Sequence, residues 1–255
     1  METKDLSCVK AVVVLGACSS VARAIAGHFA ADGYAVLLGD PDAEEMGYAA
    51  ANLRVRHGVS VHTLPFDALA FESHAAFLDA CRSALGGLPE TLVVCFGFMA
   101  DQTATQSDFA LVRRTLDLNL TGVISVVNVF ADAFEARKSG SICVLSSVAG
   151  DRGRKTNYTY GAAKAGLTAY LSGLRNRLHA AHVQVTTVKP GFMDTQMTFG
   201  MNLPGPLVAS PSQAGAAIYR AIRKRRNVVY VRWFWRYIML IIRHIPEWQF
   251  KKMSI

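Results

Sequence analysis

The feature that most constrains the fold is a regular alternation of short apolar runs with longer helical segments. The apolar runs are rich in β-branched residues and cover residues 11–15, 35–38, 59–64, 92–95, 142–145, 183–188 and 228–231. Segments with helical composition lie between them, at residues 20–31, 43–56, 71–85, 108–136, 157–179 and 212–224. Strands that alternate with helices form a parallel sheet covered on both faces. The sequence therefore predicts an α/β fold, a single-domain Rossmann fold whose doubly wound parallel sheet has about seven strands.

The composition agrees with one large domain and a short tail, which we place at residues 1–231 and 232–255. Of the 255 residues, 51% are hydrophobic and 18% are charged, enough for a substantial core. Residues 1–5 are polar, so no signal peptide is expected, and no run approaches the length of a membrane-spanning helix. The five cysteines lie mostly in apolar runs, which indicates reduced thiols in the cytoplasm.

The stretch from Ser147 to Lys164 carries a candidate proton-transfer site. Tyr160 and Lys164 are four residues apart in a predicted helix, so the phenol and the ammonium project from one face. A neighbouring ammonium favours the phenolate, so we expect Lys164 to lower the pKa of Tyr160 towards the working range. Ser147 lies thirteen residues before Tyr160, at the carboxyl end of a predicted strand. All three side chains should open into the crevice where α/β sheets bind ligands.

A Tyr-x-x-x-Lys pair with a serine thirteen residues upstream resembles the short-chain dehydrogenases and reductases. This resemblance implies hydride transfer between a nicotinamide cofactor and a carbonyl or secondary alcohol. Ser147 would hydrogen-bond the substrate oxygen and Tyr160 would act as general acid or base. Lys164 would hold the nicotinamide ribose, and both Tyr160 and Lys164 would belong to the cofactor site. Asn119, in the stretch D-L-N-L-T-G, matches the family asparagine that holds a water connecting the lysine to solvent.

The first strand-to-helix turn matches the family's pyrophosphate-binding loop only in part. The family has glycines at the positions of Gly16, Ser20 and Ala22, and this chain keeps only the first. Ser20 and Ala22 add little bulk, and a serine at a helix start can hydrogen-bond a phosphate. We therefore expect Gly16, Ser19, Ser20 and Val21 to bind the cofactor. The alternative is a family member that no longer binds a nucleotide.

The end of the second predicted strand bears on the choice of cofactor. Asp40 can accept hydrogen bonds from both hydroxyls of the adenosine ribose and would repel a 2′-phosphate. Ser19 stands where NADP-preferring members of the family usually carry a basic residue. NAD(H) is therefore favoured, with NADP(H) as the alternative. Asp67 matches the family aspartate near the adenine, although either aspartate could be an ordinary turn residue.

Two later segments complete the expected cofactor site. After the fourth strand the family usually has N-N-A-G, whereas this chain has V-C-F-G and keeps only Gly97. The segment P-G-F-M-D-T places Pro190, Gly191 and Thr195 where the family contacts the nicotinamide carboxamide. No metal site is expected, because His179 and His182 have no further ligands near them in the sequence.

The net charge of +8 suits nucleic acid, a membrane or an anionic substrate, so the placement of the basic residues has to decide. Arg152, Arg154 and Lys155 follow Ser147 beside the expected crevice. They either bind an anionic group such as a phosphate or form a solvated loop. We expect no nucleic-acid partner.

The C-terminal tail is basic and aromatic. On a helix through residues 232–246, Arg232, Arg236 and Arg243 would cluster within roughly 40°, and the rest of the circumference is apolar or aromatic. Such a helix suits the headgroup boundary of a membrane, where Lys251 and Lys252 would attract anionic lipid. The alternative is burial in a dimer interface or over the active site. The expected location is cytoplasmic, with peripheral contact at the inner face of the cell membrane as one outcome.

Three short segments, at residues 96–101, 146–152 and 243–246, resemble one branch of the family. That branch comprises NADH-dependent reductase components of decaprenylphosphoryl-ribose 2′-epimerases. The resemblance implies reduction of a 2-keto-pentose on a polyprenyl phosphate, a step of cell wall biosynthesis. It also implies a flavoprotein oxidase partner that forms the ketone.

The two long predicted helices resemble those of the family's four-helix interface, so a homodimer or homotetramer is expected. Three alternatives remain for the function: a reductase of another lipid or acyl-carrier carbonyl, a nucleotide-sensing regulatory protein without catalysis, and a membrane-peripheral scaffold.

Overall fold

The computed structural model describes residues 7–200 and 203–253, and within them one seven-stranded sheet is parallel throughout. Its strands, in chain order, are β1 (Cys8–Leu15), β2 (Ala35–Asp40), β3 (Val61–Pro65), β4 (Leu88–Val94), β5 (Gly140–Leu145), β6 (Val183–Pro190) and, after two short strands, β9 (Val228–Val231). The short strands β7 (Phe192–Met193) and β8 (Val208–Ala209) pair with each other. The order in the large sheet is β3-β2-β1-β4-β5-β6-β9. The direction of winding changes between β1 and β4, which places a ligand crevice at the carboxyl ends of these strands.

Helices cover both faces of the sheet. They are α1 (Ser20–Ala31), α2 (Ala43–His57), α3 (His74–Leu85), α4 (Ala104–Ser107), α5 (Phe109–Leu116), α6 (Gly122–Arg137), α7 (Tyr158–Leu178), α8 (Pro211–Arg223), α9 (Trp235–His244) and α10 (Glu247–Phe250). The predicted α/β fold is therefore confirmed. Several strand ends differ from the prediction: β1, β4 and β5 begin earlier, and β2 and β6 end later, at Asp40 and Pro190.

The core has one apolar layer on each side of the sheet. Ile25, Phe29 and Ile218, from α1 and α8, are buried on one face. Phe130 and Leu167, from α6 and α7, are buried on the other. Because both faces are covered, the central strands are continuous apolar runs without polar alternation.

The long helix predicted at residues 108–136 is interrupted by a π-helical turn. The segment Asp117–Thr121 lies between α5 and α6 and has π geometry. The whole stretch Phe109–Arg137 has the length and hydropathy of a membrane-spanning helix, which corrects our expectation that no run does. Val126, Phe130 and Phe134 of this stretch are fully buried against the sheet, as in a core helix.

The tail folds back onto the domain as two helices. Trp235 and Met239 of α9 are buried against Val148, in the turn that follows β5. Arg232 precedes α9 with a left-handed backbone (φ 53°) and donates to the carbonyl of Val208 at 2.9 Å. The prediction that Arg232, Arg236 and Arg243 lie on one helix is therefore wrong, because the chain turns at Arg232 and α9 begins only at Trp235. Residues 1–5, the polar segment from which we expected no signal peptide, lie outside the described residues.

Candidate active site

Two adjoining cavities open at the carboxyl ends of the central strands. The first has a volume of about 640 Å³ and lies over the turn between β1 and α1. The second has a volume of about 350 Å³ and contains Ser147, Tyr160 and Lys164. The wall between them is shared and consists of Cys95, Phe96, Gly97, Leu145, Met193, Thr195 and Met197. A ligand held in the first cavity can therefore reach the residues of the second.

The turn after β1 has the shape that a pyrophosphate requires. Gly16 has a left-handed backbone (φ 74°), and a Cβ on it would lie 2.5 Å from the backbone nitrogen of Phe96. Ser19 is the N-cap of α1, and its hydroxyl accepts a hydrogen bond from the backbone N–H of Ala22 at 3.1 Å. Gly16, Ser19, Ser20 and Val21 all line the first cavity, at a helix N-terminus that attracts phosphate. These residues fit a dinucleotide although two family glycines are replaced.

Asp40 is held in a fixed orientation in the wall of the first cavity. It is buried, and its two carboxylate oxygens accept hydrogen bonds from the backbone N–H groups of Cys18 (3.1 Å) and Asp42 (3.2 Å). Burial, followed by the charge of Asp40, raises the pKa of the Cys18 thiol to about 12. That thiol therefore stays protonated at neutral pH. Asp67 also lines this cavity, but it is exposed and accepts from the backbone N–H of Leu69 at 2.9 Å, as a turn carboxylate does.

Asn119 holds the segment that follows β4 in place. It is fully buried within the π-helical turn. Its Nδ2 donates to the carbonyls of Phe98 (2.5 Å) and Thr115 (2.8 Å), and its Oδ1 accepts from the backbone N–H of Phe98 (3.2 Å). A Cβ on Gly97 would lie 2.9 Å from that Oδ1. The structure therefore places Asn119 and Gly97 against each other at the wall shared by the cavities.

Ser147, Tyr160 and Lys164 meet in the second cavity, as their spacing predicted. The hydroxyl of Ser147 accepts from the backbone N–H of Ala149 at 3.0 Å, and Ser147 lines the same cavity as Tyr160. Lys164 is 3% exposed, and its Nζ donates to the carbonyl of Leu145 at 3.0 Å. The same Nζ lies 5.6 Å from the centroid of the Tyr160 ring. A substrate carbonyl can therefore meet both hydroxyls, with the lysine behind them.

The pKa values of the pair differ from the sequence-based expectation. Burial raises the pKa of Tyr160 to about 12, and the hydrogen bond to Ser147 opposes this rise. Burial also lowers the pKa of Lys164 to about 8. The expectation that Lys164 lowers the pKa of Tyr160 is therefore wrong in this structure, because burial raises the pKa of the phenol and the lowering effect comes from Ser147. The neutral phenol that results is a proton donor near neutral pH.

Pro190, Gly191 and Thr195 surround the second cavity from the side of β6. Pro190 ends the strand, and Thr195 lines both cavities. Gly191 lies directly against the indole of Trp235 on α9. Burial over the active site was one expected place for the tail, and Trp235 does pack on this wall, which also contains Phe192. The aromatic richness of residues 233–235 was the available signal.

The three cations after Ser147 do not act together. Arg152 donates to the carbonyls of Ile242 and Ile245, both at 2.6 Å, and forms an ion pair with Glu247 at 2.8 Å. It therefore fastens the end of α9. Arg154 lines the second cavity, whereas Lys155 is exposed and outside its wall. Asn157, which our sequence analysis did not single out, lines the cavity as well.

Comparison with known proteins agrees with this geometry. The sequence profile of the short chain dehydrogenase family matches residues 10–203. An uncharacterized oxidoreductase of Mycobacterium tuberculosis is 33% identical over 242 residues, 95% of this chain and 96% of that protein. An uncharacterized oxidoreductase of Streptomyces coelicolor is 31% identical over 248 residues, 96% of each chain.

Solved structures show the same fold. A short chain dehydrogenase/reductase family protein superimposes with a TM-score of 0.76 at 25% identity, over 90% of this chain and 97% of that one. A variant of actinorhodin polyketide ketoreductase with NADPH gives a TM-score of 0.79 at 20% identity, over 89% and 97%. The chain therefore belongs to the short-chain dehydrogenase family and is an NAD(P)-dependent dehydrogenase/reductase.

Proposed function

We propose that the protein uses NADH to reduce the 2-keto group of a pentose linked to a polyprenyl phosphate. The observation that carries this proposal is the make-up of the second cavity. Its catalytic side chains are surrounded by large apolar ones, which are Met99, Val148, Phe192, Met197 and Leu203. Such a wall suits a substrate that joins a small polar reacting group to a greasy chain.

The assigned residues divide the chemistry of reduction between them. A nicotinamide bound in the first cavity would supply the hydride. Tyr160 transfers its phenolic proton to the oxygen of the ketone as negative charge develops there, and Ser147 donates a hydrogen bond to the same oxygen. Lys164 would hold the nicotinamide ribose and would stabilise the phenolate left on Tyr160. Asn119 orients the backbone beside them and supports the path by which the proton is replaced.

Asp40 supports NADH over NADPH. Its carboxylate lines the cavity where the adenosine ribose would lie, and two backbone N–H groups fix it there. A 2′-phosphate at this place would meet a buried negative charge. Arg23 also lines the cavity, but its guanidinium is paired with Glu45.

The outer face of α9 supports peripheral contact with an anionic membrane surface. Large apolar and aromatic side chains are exposed on and beside this helix, namely Trp233, Tyr237, Leu240, Ile241 and Trp248. Exposed cations accompany them, namely Arg236, Arg243, Lys251 and Lys252. This combination suits the boundary between headgroups and acyl chains. Because Trp235 of the same helix packs on Gly191, such contact would bring the substrate cavity to the lipid.

Two protein partners complete the proposal. A flavoprotein oxidase would form the ketone that this protein reduces. A second copy of the chain would pack against α6 and α7, as the two long helices suggest. These helices are already joined to each other by Arg177, which pairs with Asp132 and Glu135, and by the hydrogen bond from Tyr170 to Asn128.

A second candidate is the reduction of a carbonyl on another lipid or on an acyl carrier. It is favoured by a 27% identity over 217 residues to an acetoacetyl-CoA reductase of Allochromatium vinosum. The same catalytic residues would serve either substrate. A purely nucleotide-sensing protein or a lipid-binding scaffold would have no need of the Ser147–Tyr160–Lys164 arrangement.

The decisive experiment is to follow NADH consumption with a polyprenyl-phosphoryl 2-keto-pentose, generated in place by a flavoprotein oxidase. Parallel reactions contain NADPH in place of NADH, or acetoacetyl-CoA in place of the sugar. We expect rapid NADH use on the lipid-linked sugar and little on acetoacetyl-CoA. The reverse order of the two substrates would establish the second candidate and reject the first.

A further inference from the structure

Two polar atoms in the wall of the second cavity are buried and have no hydrogen-bond partner among the described residues. They are Nε of Arg154 and Oδ1 of Asn157. Both residues line the cavity that contains Ser147 and Tyr160. Buried polar atoms are nearly always hydrogen-bonded in native proteins, so two orphans in one cavity call for an explanation.

The charge of Arg154 is not balanced by an ion pair within the described part of the chain. Asp151 is the acidic group whose charge acts on Arg154, opposing the effect of burial, which lowers the pKa of the guanidinium. The carboxylate of Asp151 already pairs with Lys189 and accepts from the hydroxyl of Tyr230 at 2.8 Å. A guanidinium stays charged even when it is partly desolvated. Arg154 therefore brings a positive charge to the second cavity without a directly paired carboxylate among the described residues.

The side chain of Asn157 does not cap the helix that it precedes. Asn157 is the N-cap of α7, a position where an asparagine normally accepts a hydrogen bond from the first turn. Here the side chain makes no such bond. The backbone is nevertheless fixed, since Asn157 N–H donates to the carbonyl of Arg154 at 3.1 Å and Asn157 C=O accepts from Gly161 at 2.8 Å. The two residues are thus tied to each other and to the helix that carries Tyr160.

We propose that Arg154 and Asn157 form a subsite that binds an anionic oxygen and a hydroxyl group of the substrate beside the reacting carbonyl. The guanidinium donates to the anionic oxygen, and Oδ1 of Asn157 accepts from the hydroxyl. A phosphate ester of a sugar carries both groups. This inference rests on the proposed function in one respect, that the second cavity receives the substrate.

The subsite can be tested by binding alone, with the full-length protein saturated with NAD⁺. Calorimetry would measure the affinity for ribose 1-phosphate, ribose and inorganic phosphate. We expect Arg154→Met to weaken ribose 1-phosphate and phosphate at least about 10-fold and to leave ribose unchanged. Asn157→Leu should weaken ribose and ribose 1-phosphate and leave phosphate unchanged. Lys155→Met removes a neighbouring cation outside the cavity wall and should change none of the three.

Arg154→Lys keeps the positive charge but loses the planar guanidinium, so this variant should bind ribose 1-phosphate with intermediate affinity. It also serves as a second variant in case Arg154→Met misfolds. Equal binding of ribose 1-phosphate by the wild type, Arg154→Met and Arg154→Lys would overturn the proposal. Acetoacetate serves as a carboxylate probe. If acetoacetate depends on Arg154 and ribose 1-phosphate does not, the subsite binds a carboxylate and the sugar phosphate is rejected as its ligand.

The result is separable from that of the turnover assay. Binding that depends on Arg154, without reduction of the lipid-linked keto-pentose, would keep the subsite and reject the proposed substrate. Reduction of the keto-pentose at an unchanged KM by Arg154→Met would keep the proposed function and reject the subsite.

Discussion

Gly191 lies so close to Trp235 that a Cβ on the glycine would be 2.0 Å from both Cε2 and Nε1 of the indole. The backbone after β6 and the helix α9 are therefore in direct contact across a residue without a side chain. Phe192 adds an edge-on contact, with its ring 5.3 Å from that of Trp235. Through this contact the C-terminal tail supports one wall of the substrate cavity.

Gly191→Ala is expected to destabilise the fold by about 2 kcal/mol, because the added methyl group overpacks a site without free space. In a Trp235→Leu background the same substitution should cost clearly less, since the ring has been removed. Urea unfolding of the wild type, both single variants and the double variant would measure the coupling. Additive effects of the two substitutions would contradict the contact.

Tyr160→Phe should lower turnover at least about 100-fold, because in the proposed mechanism the phenolic proton is the one delivered to the ketone. NADH affinity should change little. Tyr158→Phe is the matched control, since Tyr158 lies two residues earlier, is 45% exposed and is not part of either cavity wall. Turnover by Tyr160→Phe close to that of Tyr158→Phe would remove Tyr160 from the proposed mechanism.

Lys164 should make stability rise with pH in the alkaline range. Its pKa is lowered from 10.5 to about 8 in the folded protein, so the unfolded chain binds more protons between these values. Its contribution to the free energy of unfolding should therefore increase by about 2 kcal/mol between pH 7.5 and pH 9.5. Urea unfolding at both pH values should show this increase in the wild type relative to Lys164→Met. An identical change in both proteins would contradict the lowered pKa.

Asp40→Asn should reduce the preference for NADH over NADPH at least about 10-fold in kcat/KM, because the charge that repels a 2′-phosphate is removed. The amide keeps an oxygen that can accept from a backbone N–H group. Asp42→Asn is the control, since Asp42 caps α2 by accepting from Glu45 and lies outside the wall of the first cavity. A preference that changes equally in both variants would reject the assignment of Asp40.

Leu240→Glu with Ile241→Glu should weaken binding to vesicles of phosphatidylglycerol and phosphatidylcholine at least about 10-fold. Both side chains are exposed on α9, so the substitutions should leave the fold unchanged. Val55→Glu, at an 87% exposed apolar residue of α2, tests a similar change on another surface. If the wild type does not sediment with these vesicles, the membrane proposal fails.

The alternation of strands and helices was predictable because each buried parallel strand must be a short apolar run. The boundaries of the strands were harder to predict, because a strand continues as long as its backbone pairs with the neighbouring strand. Asp40 and Pro190 are not typical strand residues, yet both still pair with a neighbouring strand. The proximity of Ser147, Tyr160 and Lys164 was also predictable. A spacing of four residues places Tyr160 and Lys164 on one face of a helix, and Ser147 follows the strand before it.

Three features of the site could not be predicted because they depend on tertiary packing. The pKa of Tyr160 depends on how deeply the phenol is buried, which spacing does not reveal. Arg152 and Arg154 are separated by one residue in the sequence, yet Arg152 contacts the end of α9 and Arg154 lines the second cavity. The contact of Trp235 with Gly191 joins segments more than forty residues apart.

The π-helical turn at Asp117–Thr121 fixes the number of residues between α5 and α6. Such a turn accommodates one residue more than an α-helical turn would. Deleting a residue there would restore ordinary α-helical geometry, and the carbonyl of Thr115 would then accept from a backbone N–H of the next turn. Thr115 would then no longer present its carbonyl to Asn119, and the segment around Phe98 would lose its anchor. Insertions and deletions among relatives of this chain should therefore accumulate in surface loops and spare this helix.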